Sequence, residues 1–284
     1  MCALFSRIPS AVWFGIFALA VAVLPGAVWT VLLSINLVTS PAIPWAVIAM
    51  AILLWILWQY LAGKWWPRGT SETRHRLLRA NIVSRNVFVS ALVAGGLSIF
   101  AFTGAWIVLF QLVKVPGNVL PAFSAYPLVT VLLVAIMASV IAGVSEEAGI
   151  RGYLQSILEG KVSVPVAILI PALVLAPAHA VTQGFVLPTM LFYLFVDVSY
   201  GVTAYLTQSI LPGMVIHALG ILIFFTTVWP YDPMRHLVSE GGADTWFWIH
   251  LAQAVLFTIL TFLAFRRLAK VAALMNINKQ TDQV

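Results

Sequence analysis

Glu146 and Glu147 are adjacent, and Arg151 follows one helical turn later, inside the apolar run LVTVLLVAIMASVIAGVSEEAGIRGYLQSIL at residues 128–158. A charged side chain within a bilayer-spanning helix costs on the order of 3 kcal/mol even on the lenient insertion scale. Such groups face a protein interior or a wet cavity and mark functional sites. Glu147 and Arg151 are spaced i, i+4 with the acid on the N-terminal side, the favourable order for a helical ion pair. Glu146 points about 100° away from Glu147 around the helix axis. This pattern divides the work. A carboxylate held by an arginine stays ionised and keeps its geometry. Its neighbour, turned toward a cavity, can take a proton from water as a general base.

Two histidines fall in other apolar stretches, His179 in LAPAHA and His217 in PGMVIHALG. A lone intramembrane histidine is more often a hydrogen-bonded packing residue than a catalyst. Beside a glutamate base, however, one histidine next to the base and a second as oxyanion donor would make a site for water attack on an amide. Asp197, in FVDVSYGV, is the other charge within a span. It either supports the histidines or binds a proton or cation, as in a transporter.

Other chemistries fit less well. One Glu and two His could ligate zinc, but the helical signature HExxH is absent. The Glu/His reading requires no cofactor. Cys2 is the only cysteine, which leaves no internal disulfide and no Cys–His nucleophile. Ser145 lacks a Gly-x-Ser-x-Gly or Ser-Lys setting. His75, His236 and His250 fall in loops or at a helix start.

The elements that must position these residues follow from composition. The 284 residues are 62% hydrophobic and 8% charged, with mean hydropathy +1.03. A soluble domain carries about a quarter charged residues. The chain is therefore predicted to be an all-α polytopic membrane protein, a single membrane domain over 1–284. About 20 apolar residues make a span, which predicts about eight transmembrane helices near 11–37, 43–62, 86–113, 127–158, 163–182, 187–207, 211–229 and 246–268. The first is expected to be a retained helix, since no small-residue cleavage site follows it. Pro171 and Pro177 are expected to kink the fifth.

Net charge is +6, but the basic residues cluster between apolar spans, so they signal topology and not nucleic acid. Lys64, Arg68, Arg74, Arg76, Arg79 and Arg85 share one loop with a single acid, Glu72. Arg266, Arg267, Lys270 and Lys279 follow the last span. With eight spans both groups fall on the side of Arg7 and Lys161. Lys114, Arg235, Asp232, Glu240 and Asp244 fall on the other. The positive-inside rule then puts both termini in the cytoplasm, and the expected location is the cell inner (cytoplasmic) membrane.

At this point the motifs resemble a family. EEAGIR matches the EExxxR motif of the CPBP intramembrane proteases, which include the type II CAAX prenyl endopeptidases and the bacterial abortive-infection-like proteins. The family's second motif, FxxxH, corresponds to Leu175 through His179, and its third, HxxxN, to His217 through Ile221. The resemblance covers a protease-like core at about 128–225. It implies that Glu146 and His179 activate the attacking water, that Arg151 holds Glu147, and that His217 stabilises the tetrahedral oxyanion. It implies a membrane-associated or lipidated peptide or protein as substrate, in contact with the lipid bilayer. Leu175 stands where the family has an aromatic residue, and Ile221 where it has asparagine. The second change removes an expected oxyanion donor, a loss worth about 10²–10³ in rate. The alternatives are a non-catalytic pseudoprotease acting as an immunity or scaffold factor, and a proton-coupled transporter built on Asp197 and the glutamates.

Overall fold

In lipid, backbone N–H and C=O groups must be satisfied within the chain, and long apolar runs do this as helices. The computed structural model describes residues 10–114, 125–183, 185–228 and 236–281, and among them there are helices and no strand. Cys2, Arg7, Asp232 and Arg235 lie outside the described residues. In chain order the helices are α1 (Ser10–Thr39), α2 (Trp45–Leu61), α3 (Ser71–Leu78), α4 (Arg85–Leu112) and α5 (Leu128–Glu146). The chain continues from α5 as a π-helical segment (Glu147–Leu154) and then as α6 (Gln155–Glu159). It goes on as α7 (Val164–Gln183), α8 (Leu187–Thr207) and α9 (Leu211–Ile223), which ends in a π-helical turn (Phe224–Val228), and then α10 (Val238–Gly241) and α11 (Thr245–Thr281).

Among the described residues, six stretches are long and apolar enough to cross a membrane: Trp13–Thr39, Arg85–Leu112, Leu128–Glu159, Leu187–Thr207, Leu211–Val228 and Thr245–Leu274. Trp45–Leu61 and Val164–His179 are shorter apolar helices. The protein is thus an all-α polytopic membrane protein, and the eight apolar helices stand where the hydropathy pattern predicts them. Two details differ. The fourth span is not one regular α-helix, because the π-helical segment interrupts it. α11 runs well past the apolar stretch, since neither glycine nor proline occurs between its ends.

The chain folds into two compact units, one from 1–81 and 121–171, the other from 82–120 and 172–284. In the first, α1 packs against α2, α5 and the π-helical segment. Its core joins Trp29, Ala46, Met50, Leu54, Val134, Met137 and Ile141. A Cβ on Gly149 would come within 2.4 Å of the Ala18 carbonyl oxygen and 2.9 Å of the Ala22 nitrogen. A Cβ on Gly152 would meet the Leu78 carbonyl oxygen at 2.9 Å. Only glycine admits such backbone-to-backbone approach. The same two glycines are poor α-helix formers, so the segment that carries Arg151 is the one where regular α-helix gives way.

The basic loop of this unit is structural as well as charged. Arg74 is buried, and its guanidinium donates to the carbonyls of Tyr60 (2.7 Å), Trp65 (2.7 Å) and Pro67 (2.9 Å). It also lies 4.1 Å over the Tyr60 ring. Arg79 is buried too and pairs with Glu159 at 3.0 Å. The Tyr153 hydroxyl lies 3.1 Å from the Leu61 carbonyl oxygen and 3.2 Å from that of Arg74. These interactions fasten α3 and the end of α2 to the π-helical segment and α6.

In the second unit α4 is the hub, with α8, α9 and α11 packed on it. Gly104 lets α11 approach, because a Cβ there would sit 2.9 Å from the His250 carbonyl oxygen and 3.0 Å from the Ala254 nitrogen. Gly95 receives the Ile216 side chain in the same way. Ile99, Tyr200 and Ile216 form one core cluster, and Trp106, Phe110 and Val228 another.

Candidate active site

The carboxylates belong to the first unit. Glu147 and Arg151 lie in the π-helical segment, where i→i+5 bonding inserts an extra residue into the turn. The pair predicted from spacing is present: Arg151 Nη1 lies 3.4 Å from Glu147 Oε1, with the side chains 1% and 0% exposed. Glu146, the last residue of α5, is only partly buried. The two adjacent carboxylates therefore sit in different surroundings. Ser145, just before them, is buried. Its hydroxyl lies 2.7 Å from the Ile141 carbonyl oxygen and 3.3 Å from that of Ala22. That makes it a packing residue between α5 and α1.

The histidines belong to the second unit, and α8 serves both. His179 on α7 is partly exposed, and its Nε2 lies 4.0 Å from Asp197 Oδ2 on α8. That distance is longer than a hydrogen bond but close enough for electrostatic attraction when the imidazole carries a proton. The Tyr193 ring stacks on the same imidazole, with centroids 4.0 Å apart and planes at 17°. His217 on α9 is buried, and the Tyr200 ring stacks on it at 4.5 Å and 10°.

Leu175, one turn before His179, is buried, and an aliphatic side chain packs in the place of the expected aromatic. Ile221, one turn after His217, is partly buried. Among the described residues no group of three or more His, Cys, Asp or Glu is arranged to hold a metal ion. Tyr193 and Tyr200 were not singled out by the sequence reading. The signal was there in spacing, since they lie four residues before and three after Asp197 and so share its helix face.

Residues 127–223 match the family model described as type II CAAX prenyl endopeptidase Rce1-like. At the family level, this stretch of the chain is similar to intramembrane CAAX-type proteases. No curated protein and no solved structure matches the chain. The matched stretch begins at the start of α5 and ends with α9, so it contains Glu146, Glu147, Arg151, His179, Asp197, His217 and Ile221. The basic loop with Arg74 and Arg79 lies outside it, as does α11.

Proposed function

We propose that the protein is an endopeptidase of the cytoplasmic membrane, with both termini in the cytoplasm, that cleaves a membrane-associated or lipidated peptide or protein. Glu146 and His179 take the proton from the attacking water as its oxygen adds to the scissile carbonyl carbon. His217 donates to the oxyanion. Collapse of the tetrahedral intermediate breaks the C–N bond, and the proton passes to the leaving amine. Arg151 and Glu147 hold the carboxylate segment in place, and Asp197 supports His179.

The observation that carries this reading is the unlike environment of the two glutamates. Glu147 is fully buried beside Arg151, while its neighbour Glu146 is only partly buried as a residue, with its Oε2 covered. A water-activating group must reach the solvent that enters the site.

Glu146→Gln and His179→Ala should each lower proteolysis at least about a hundredfold, the usual worth of general acid–base catalysis. Both proteins should still insert and elute as folded in detergent. Cleavage at the wild-type rate in both variants would remove these residues from the reaction.

A second reading has its own support in Ile221, an aliphatic residue one turn after His217 where the resembled motif has an amide donor. On that reading the chain is a non-catalytic relative that binds membrane proteins without cleaving them. Screening the wild type and Ile221→Asn against a membrane-anchored peptide library separates the two, since a pseudoprotease cleaves nothing in either form.

A further inference from the structure

We propose that Tyr193 and Tyr200 are positioning residues that fix the ring planes of His179 and His217, so that one face of α8 orients both imidazoles. The inference rests on the reading of these histidines as reacting groups. Tyr193, Asp197 and Tyr200 follow at i, i+4 and i+7 within α8 (Leu187–Thr207), the spacing of one helix face. Each tyrosine meets a histidine from a different helix, and both pairs are near-parallel stacks at 17° and 10°. Tilted and edge-on arrangements are equally available to aromatic pairs. The other rings around Tyr193 take them, with Trp106 at 56° and Phe192 at 83°. Around Tyr193, the near-parallel stack is thus kept for the imidazole.

The physical need is plain. The second side-chain torsion of histidine is broad and roughly two-fold, so an imidazole left to itself swings its nitrogens through a wide arc. A ring laid flat on one face restricts that arc and leaves the in-plane nitrogens at the edge. Both tyrosines are themselves braced. Tyr193 lies against Trp106, with centroids 5.3 Å apart. Tyr200 is buried in the cluster with Ile99 and Ile216. Its hydroxyl lies along α9, 3.2 Å from where a Cβ on Gly220 would sit. Gly220 thus leaves room for the ring that covers His217, three residues earlier on the same helix.

The test compares Phe, which keeps the ring, with Leu, which keeps only bulk, and reads ring geometry apart from catalysis. With histidines isotopically labelled and the protein in lipid nanodiscs, the ring protons of His179 and His217 should be shifted upfield in the wild type. The shift should persist in Tyr193→Phe and Tyr200→Phe. It should vanish for His179 alone in Tyr193→Leu, and for His217 alone in Tyr200→Leu. On a cleavable peptide the Leu variants should lose about tenfold in kcat with KM nearly unchanged, in keeping with the cost of misplacing a reacting group, while the Phe variants stay near wild type. Should a Leu variant not fold, Gly220→Ala, which crowds the Tyr200 hydroxyl, should move the His217 signal. Absence of the upfield shifts in the wild type would overturn the proposal. So would Leu variants that lose the shift and keep full kcat. If the wild type cleaves nothing, the protease reading fails, and the ring-proton comparison still decides whether the tyrosines set the imidazole planes.

Discussion

At the scale of single residues, chemical identity does not set the role of a carboxylate; its surroundings do. Glu146 and Glu147 are the same side chain one position apart, yet one is only partly buried as a residue and the other is sealed beside Arg151. Removing one partner of a buried ion pair typically costs about 3–5 kcal/mol. Glu147→Gln should therefore lower the thermal unfolding midpoint in detergent sharply and lower activity through lost folded protein. Glu146→Gln should leave the midpoint near wild type and remove activity alone. The reverse outcome would exchange the roles of the two glutamates. The pair was legible in the sequence because i, i+4 spacing on a helix is a local property. The tyrosine stacks were not, because each depends on which helix packs beside which. Ile221 belongs to the same scale. If the protein is a protease lacking one oxyanion donor, Ile221→Asn should raise kcat, by up to about 10²–10³ if the amide reaches the oxyanion. Single-turnover cleavage of a labelled substrate would measure it.

At the scale of elements, the π-helical segment is the part that a hydropathy reading could not supply. Apolar length located the apolar helices among the described residues, since a run of some 20 apolar residues in lipid has little choice but helix. Where such a helix departs from regular geometry depends on tertiary packing. Here the neighbours are the backbone of α1 at Gly149 and the Leu78 carbonyl at Gly152. The same limit applies to Arg74 and Arg79. In sequence they look like two more charges of a solvated basic loop, and burial shows only once α2, α3 and the π-helical segment are packed together. Gly149 offers the cleanest test of this packing. A methyl group there meets backbone atoms of Ala18 and Ala22, which cannot rotate away as a side chain would. Overpacking of this kind costs about 1–3 kcal/mol. Gly149→Ala should lower the unfolding midpoint and cut activity, since the strained segment carries Glu147 and Arg151. Gly69 has open space around its Cβ position, and Gly69→Ala serves as the control that should change neither.

At the scale of the whole molecule, the question is how the chain is threaded through the bilayer. The basic loop carries two populations of charge. Arg74 and Arg79 are buried and committed to carbonyls and to Glu159, whereas Lys64, Arg68, Arg76 and Arg85 are exposed. Topology is set by the positive charges that stay near the lipid headgroups and are held back from translocation. A guanidinium satisfied inside the protein stabilises the fold once formed. The two sets should therefore separate in experiment. Neutralising Lys64, Arg68, Arg76 and Arg85 together should produce a mixed population of orientations. Cysteines placed in this loop, in a background where Cys2 is replaced, would then be labelled from both sides of the membrane. Arg74→Ala should leave every cysteine labelled from one side only, and should instead lower the unfolding midpoint. Its guanidinium makes three hydrogen bonds to carbonyls, and charged hydrogen bonds contribute about 1.5–3 kcal/mol each. Arg74→Lys should recover only part of that loss, because an ammonium lacks the planar fork that reaches separate acceptors. A uniform labelling pattern in the fourfold variant, or a mixed one in Arg74→Ala, would show that burial in the folded protein does not divide the topogenic charges from the structural ones.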